Sequence, residues 1–261
     1  MVYLEEDVYE SKAESIFIQG NDIYVAGWRI AEESGPTIAC FWLNGVRTDL
    51  GPSDGSETSE ASDIIVINSD IYVCGWQTSS GSTRACFWKN GDIVMSDTLN
   101  SEANAMDIKN DIVYLCGAYD GGTYGNTACY WEGTTTLTLQ PLTSGLQSRA
   151  MDIQVVGSDI YTCGGSWGVP YGIFESCYWT NGVKTILSSD EWTIADGVLI
   201  VGTDMYFIGQ NDYNGGYWLN GTFTQLTNGN EEVRGIFMCA GNVYIAGEQD
   251  YHGVYFCNNN E

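Results

Sequence analysis

The segment NDIYVAGW at positions 21–28 recurs five times, as SDIYVCGW at 69–76, DIVYLCGA at 111–118, SDIYTCGG at 158–165, TDMYFIGQ at 203–210 and GNVYIAGE at 241–248. Each copy holds a Tyr followed three residues later by a Gly: Tyr24, Tyr72, Tyr114, Tyr161, Tyr206 and Tyr244, then Gly27, Gly75, Gly117, Gly164, Gly209 and Gly247. Successive tyrosines lie 48, 42, 47, 45 and 38 residues apart, so the centre of the unit is kept while its joints vary. Six copies of a short-strand unit of about 44 residues predict an all-β, six-bladed β-propeller, one domain over 1–261.

Outward from the Tyr segment, each unit reads as four antiparallel strands. An Ala-led apolar stretch precedes it, as in AESIFIQG (13–20), ASDIIVINS (61–69) and ADGVLIVG (195–202); such continuous apolar runs suit a strand buried on both faces. A third strand follows as ACFW (39–42), ACFW (85–88), ACYW (128–131), SCYW (176–179), GGYW (215–218) and GVYF (253–256). Asn44-Gly45, Asn90-Gly91, Asn181-Gly182 and Asn220-Gly221 then supply the positive φ angles of a two-residue hairpin into the fourth strand. The sixth copy stops after its third strand. Val2–Leu4 stands before Ala13 as VRTDL stands before Ala61, so this N-terminal segment is expected to close the last blade.

The 34 acidic residues against 9 basic ones give a net charge of −25, which repels phosphate backbones and anionic lipid and argues against a nucleic-acid partner. No apolar run approaches the roughly 20 residues that span a bilayer, so membrane insertion is not expected. The N-terminal stretch shows no secretory signal. A monomer is expected. Of the nine cysteines, Cys74, Cys116 and Cys163 share one repeat column and Cys40, Cys86, Cys129 and Cys177 another. These positions exchange with Ala and Gly, which implies small buried thiols rather than disulfides, and no CxxC spacing points to zinc. The recurrent Asp22, Asp70, Asp111, Asp159 and Asp204 suit turn formation better than a metal.

In a propeller, the connections between strands two and three and those between blades share one face, and here they are the long, varied ones. Trp28, Trp76, Tyr119, Trp167, Tyr213 and Tyr251 fall just past the repeated Gly in each unit; such rings either pack between blades or stack on sugar faces. At the channel mouth, the residue after each leading small residue is Glu14, Ser62, Asn104, Met151, Asp196 and Arg234. This column varies beside nearly constant ones, and the next carries Ser15, Asp63 and Asp152. Glu5, Glu6, Asp7, Asp54, Glu57, Glu60, Asp190, Glu191, Glu231 and Glu232 crowd the inter-blade loops; Ca²⁺ is the one cofactor they suggest, without EF-hand spacing.

The only histidine is His252, and GxSxG, P-loop and dinucleotide fingerprints are absent. The residues therefore favour a non-catalytic scaffold binding a glycan or protein through the long-loop face, with no catalytic and no metal residues assigned. One alternative is a glycoside-active enzyme using channel-mouth carboxylates such as Glu14 and Asp196. The other is a purely structural or adhesive repeat domain.

The phrase ACFWLNGVRTDLG at 39–51, followed by an Ala-led strand and then a Gly-ended one, resembles the HAF family of extracellular repeats. It is also similar to propeller repeats of Bacteroidetes surface and secreted proteins. That resemblance covers all six units. It implies an exported or cell-surface location and a repeat type without an assigned reaction, so no catalytic residue comes with it.

Overall fold

Apolar residues alternating with small ones at period two, punctuated by Asn-Gly and Gly, make each repeat a meander of antiparallel strands. The computed structural model describes residues 8–52, 57–122, 125–142, 147–168, 174–190, 192–229, 231–249 and 252–257. The first sheet is β1 (Glu10–Gln19), β2 (Asp22–Ile30), β3 (Thr37–Leu43) and β4 (Val46–Asp49). The second is β5 (Ser59–Ile67), β6 (Asp70–Ser79), β7 (Ser82–Lys89) and β8 (Asp92–Met95). The third is β9 (Ser101–Lys109), β10 (Ile112–Asp120), β11 (Asn126–Gly133) and β12 (Thr138–Pro141). The fourth is β13 (Gln147–Val156), β14 (Asp159–Trp167), β15 (Phe174–Thr180) and β16 (Val183–Ser188). The fifth is β17 (Thr193–Val201), β18 (Asp204–Asn211), β19 (Asn214–Leu219) and β20 (Thr222–Gln225). The sixth has three described strands, β21 (Val233–Cys239), β22 (Asn242–Gln249) and β23 (His252–Cys257).

Strands follow chain order in every sheet, and the described residues contain no helix. This is the six-bladed β-propeller that the repeat predicts. Val2–Leu4, expected to complete the last blade, lie outside the described residues. The chain divides into two compact units, Met1–Asp120 with Trp131–Leu139, and Gly121–Tyr130 with Gln140–Glu261. The first holds sheets one and two and most of the third; the second holds sheets four to six.

Core packing occurs between successive sheets. In the first unit Tyr24, Ala26, Ala39 and Phe41 of sheet one meet Ala61, Ile64, Val73, Cys86 and Trp88 of sheet two. In the second, Cys163 meets Ala195, Val198, Phe207 and Trp218, and Tyr206 and Ile208 meet Val233, Val243 and Ile245. The third-strand tryptophans Trp42, Trp88, Trp131, Trp179 and Trp218 are all buried, each ring contributing a few kcal/mol, roughly 2–3, by area removed from water. Polar stitches join sheets as well. The Oγ of Ser59, Ser101 and Ser148 accepts from the backbone N–H of Ala39, Ala85 and Ala128 at 3.0, 3.0 and 2.9 Å. Ile16, Ile18, Ile23 and Val46 on the first sheet and Phe237, Met238 and Tyr255 on the last remain exposed, apolar faces that no described residue covers.

The repeated Asp and Asn explain each other. In the four Asn-Gly turns the Asn has φ between 50° and 53°, and its side-chain oxygen accepts from the N–H of the second residue of the second strand: Ile23, Ile71, Ile160 and Met205. Its amide nitrogen donates to the repeated Asp: Asn44 to Asp22 (2.8 Å), Asn90 to Asp70 (2.8 Å), Asn181 to Asp159 (2.9 Å) and Asn220 to Asp204 (3.1 Å). These aspartates lock the hairpin, as their turn chemistry predicts.

Candidate functional site

The first strand of every sheet breaks register at one position. Pairing slips between Ala13 and Ser15, Ala61 and Asp63, Ala150 and Asp152, Ala195 and Gly197, and Val233 and Gly235, and opposite Cys116 and Gly117 in the third sheet. The skipped residues are Glu14, Ser62, Met151, Asp196, Arg234 and Asn104. The variable column read from the sequence is thus a column of β-bulges, which bend a strand and re-aim one side chain. The repeated Gly is its steric counterpart. A Cβ on Gly27, Gly75, Gly117, Gly164 or Gly209 would lie 1.9–2.1 Å from the carbonyl oxygen of Lys12, Glu60, Glu102, Arg149 or Ile194, the residue before the bulge-leading Ala.

In the first unit this geometry gathers carboxylates. Glu14 Oε1 accepts from Trp28 Nε1 at 3.2 Å and pairs with Lys12 Nζ at 2.8 Å. Glu60 stands in the second sheet at the place Lys12 holds in the first, and Glu102 repeats it in the third. Burial raises the Glu60 carboxyl above its ordinary range, and the charges of Glu14 and Glu102 push the same way against Lys12 and a hydrogen bond with Thr37. Three carboxylates therefore share one electrostatic neighbourhood, with an indole on one of them.

Asp63, one position beyond the bulge, does structural work. Its Oδ1 accepts from Ser15 Oγ (2.7 Å) and Ile64 N (2.8 Å), and its Oδ2 from Met106 N (3.0 Å), so one carboxylate ties three sheets together. In the second unit Asp152 ties the fourth sheet to the fifth, accepting from Ile153 N and Val198 N, both at 2.8 Å. Asp196 is pushed up to about 6, first by burial, with the Arg234 guanidinium opposing and Glu232 adding to the rise. Arg234 itself is ion-paired with Glu232.

The aromatic candidates occupy different registers. Trp28 and Trp76 are equivalent, opposite Lys12 and Glu60 on the first strand and Ala39 and Ala85 on the third. Tyr119 sits opposite Ser101 and Trp167 opposite Gln147, to whose Oε1 its Nε1 donates. Tyr213 lies in the turn between β18 and β19, and Tyr251 lies outside the described residues. Trp192, absent from the repeat columns, stacks near Tyr213 and Phe174. Its signal was legible only as an odd Trp in a loop.

Among the described residues no group of three or more His, Cys, Asp or Glu is arranged to hold a metal ion. Glu5, Glu6, Asp7, Asp54 and Glu191 of the acidic loops lie outside those residues. Glu57 accepts from Gln77, and Asp190 from Ser188. His252 is exposed on β23. The seven column cysteines are buried thiols outside any disulfide, while Cys239 is exposed and Cys257 partly so.

Neither a family model nor a curated protein matches the sequence. Solved structures do match in fold. Penicillium chrysogenum α-L-arabinanase complexed with arabinobiose aligns at TM-score 0.57 and 8% identity over 91% of this chain and 88% of that one. The β-propeller domain of the Trilobed protease from Pyrococcus furiosus aligns at 0.53 and 8%, over 96% and 83%. Pyrococcus horikoshii acylaminoacyl peptidase aligns at 0.55 and 11%, over 97% of this chain and 45% of its own, so the chain spans under half of that protein.

These likenesses correct the expectation of a non-enzyme. An α-L-arabinanase shares this fold, so the absence of short local motifs does not exclude catalysis. The physical reason is topological. Glu14, Glu60 and Glu102 stand on the first strands of three different sheets, so some 40 residues separate each from the next and no short fingerprint marks them. The chain is, by fold, a six-bladed β-propeller with a bulged, carboxylate-bearing column on its first strands.

Proposed function

We propose that this protein is a glycoside-active enzyme whose acid–base machinery includes Glu60 and Glu14. The observation that supports it is the Glu14–Glu60–Glu102 cluster: a carboxyl that burial raises above its ordinary range, in the field of a second carboxyl tied to Lys12 and Trp28. Two carboxyl groups whose surroundings differ in this way are the components of glycosidic cleavage. Glu60 donates its proton to the leaving glycosidic oxygen. Glu14 then takes a proton from the attacking water or bonds to the anomeric carbon, according to the space between the two. Burial first, and then the charges of Glu14 and Glu102, favour the proton on Glu60, and the Trp28 ring offers a flat apolar surface to the sugar.

Release of reducing ends from arabinan, arabinoxylan and mixed-linkage glucan tests this reading. Glu60→Gln and Glu14→Gln are each expected to slow release by about 10²-fold or more, the usual contribution of a positioned acid or base. The alkaline limb of the pH profile should follow deprotonation of Glu60, above the ordinary Glu value near 4.5. No release from any of the three by the parent protein, or parental rates in both variants, would rule the reading out.

A further inference from the structure

We infer that Trp192, Tyr213 and Phe174 form a binding platform for the sugar rings of a neutral glycan. This goes beyond the cleavage proposed above, because it requires a sugar to be held and not cut. All three residues lie in the second unit. The Trp192 and Tyr213 rings are nearly parallel, 12° apart with centroids 6.2 Å apart, and Phe174 leans on Trp192 at 5.0 Å and 50°. Trp192 is 44% exposed and Tyr213 39%, so the fold displays two large rings instead of burying them.

The platform is rigid. Trp192 Nε1 donates to Oε1 of the buried Gln210 at 3.1 Å, and the Trp192 carbonyl accepts from Tyr213 N at 3.2 Å. Thr193 Oγ1 secures the same strand by donating to the Gln210 carbonyl at 2.9 Å. A ring held at both its edge and its backbone loses little freedom when a ligand lands on it.

The backbone supplies a second, independent observation. Tyr213 has φ +65° and Asp212 φ +49°, so the β18–β19 connection is a two-residue turn with both residues left-handed. Such a turn favours Gly at its second position, and the equivalent turn of the second sheet, Ser80-Gly81, has it. A bulky aromatic there is strained. Its ring is 39% exposed and lies against Trp192 with centroids 6.2 Å apart, so packing offsets the strain only in part; residues held this way cluster where a ligand is bound. The exposed Asp212 carboxylate beside it is an acceptor for sugar hydroxyls. The surface that the stacked Trp192–Tyr213 pair leaves exposed is apolar and suits the C–H surface of a sugar ring, while the −25 net charge disfavours acidic sugars. The ligand class is therefore a neutral polysaccharide.

Affinity electrophoresis through gels containing arabinoxylan, mixed-linkage glucan or galactomannan tests the platform. The parent protein is expected to be retarded by at least one of them. Trp192→Ala and Tyr213→Gly should each weaken binding about tenfold or more, and Trp192→Phe should restore part of it. Tyr213→Gly should at the same time raise the melting temperature, by about 2–4 °C, because strain is relieved; a purely structural Tyr213 would move it the other way. Glu60→Gln should be retarded like the parent whatever its effect on hydrolysis, which separates this platform from the cleavage reading. Parent protein unretarded by all three polysaccharides, undiminished binding in Trp192→Ala, or a lower melting temperature in Tyr213→Gly would each overturn the inference.

Discussion

At the residue scale, Asp196 shows how a bulge turns one carboxyl into a pH-dependent element. Its ordinary value of 3.8 rises to about 6 in the fold, burial being the main cause. Between those values the folded state holds a proton that the unfolded chain releases. The contribution to stability is thus complete below about pH 3.8 and is lost as pH rises through about 6. Linkage converts each pH unit of difference into about 1.4 kcal/mol, and the partial solvent exposure of Asp196 reduces the total to about 1–2 kcal/mol. Asp196→Asn, neutral at every pH, is expected to raise the melting temperature at pH 8 and leave it near the parent's at pH 4. Equal shifts at the two pH values would show that charge burial is not the cause.

At the scale of the element, the unit of design is a bulge on the first strand facing a Gly on the second. The bulge swings a carbonyl into the space a Cβ would need, 2.0 Å from it at Gly164, whereas the adjacent Gly165 has 3.4 Å to its nearest neighbour, Ile194 Cγ1. Gly164→Ala is therefore expected to cost more than about 2 kcal/mol, and Gly165→Ala less than about 1 kcal/mol. Chemical denaturation of the two variants side by side measures the difference; similar losses would mean the bulge relaxes freely. The Tyr and Gly columns were plain in the sequence because every sheet needs them. The bulge column was visible only as variation, since each re-aimed side chain answers to its own surroundings, as Glu14 does to Trp28 and Lys12, and not to a requirement common to all sheets.

At the scale of the whole molecule, the thiols report on closure of the sheets. Burial raises Cys74, Cys86 and Cys129 well above the ordinary thiol range and Cys177 to about 12, so they are neither accessible nor ionised near neutrality. A native protein treated with a thiol-specific chromophore should titrate two of its nine cysteines, Cys239 and Cys257, and all nine after unfolding. Rapid native reaction of more than two would mean that the sheets separate in solution.

The sequence alone determined what is repeated: six sheets, the Tyr and Gly columns, the Asn-Gly hairpins, the buried cysteines and the variable rim position. Periodicity carries these because each answers a local requirement of strand or turn that recurs in every unit. Only the tertiary structure decided which side chains act on one another: the charges of Glu14 and Glu102 on Glu60, the Asp63 and Asp152 ties between sheets, and the grouping of Phe174, Trp192 and Tyr213. Those contacts join residues tens of positions apart, or break the repeat as Trp192 and Tyr213 do. Spacing along a chain is silent about them because it records neighbours in sequence, whereas charge coupling, burial and ring stacking depend on distance through space.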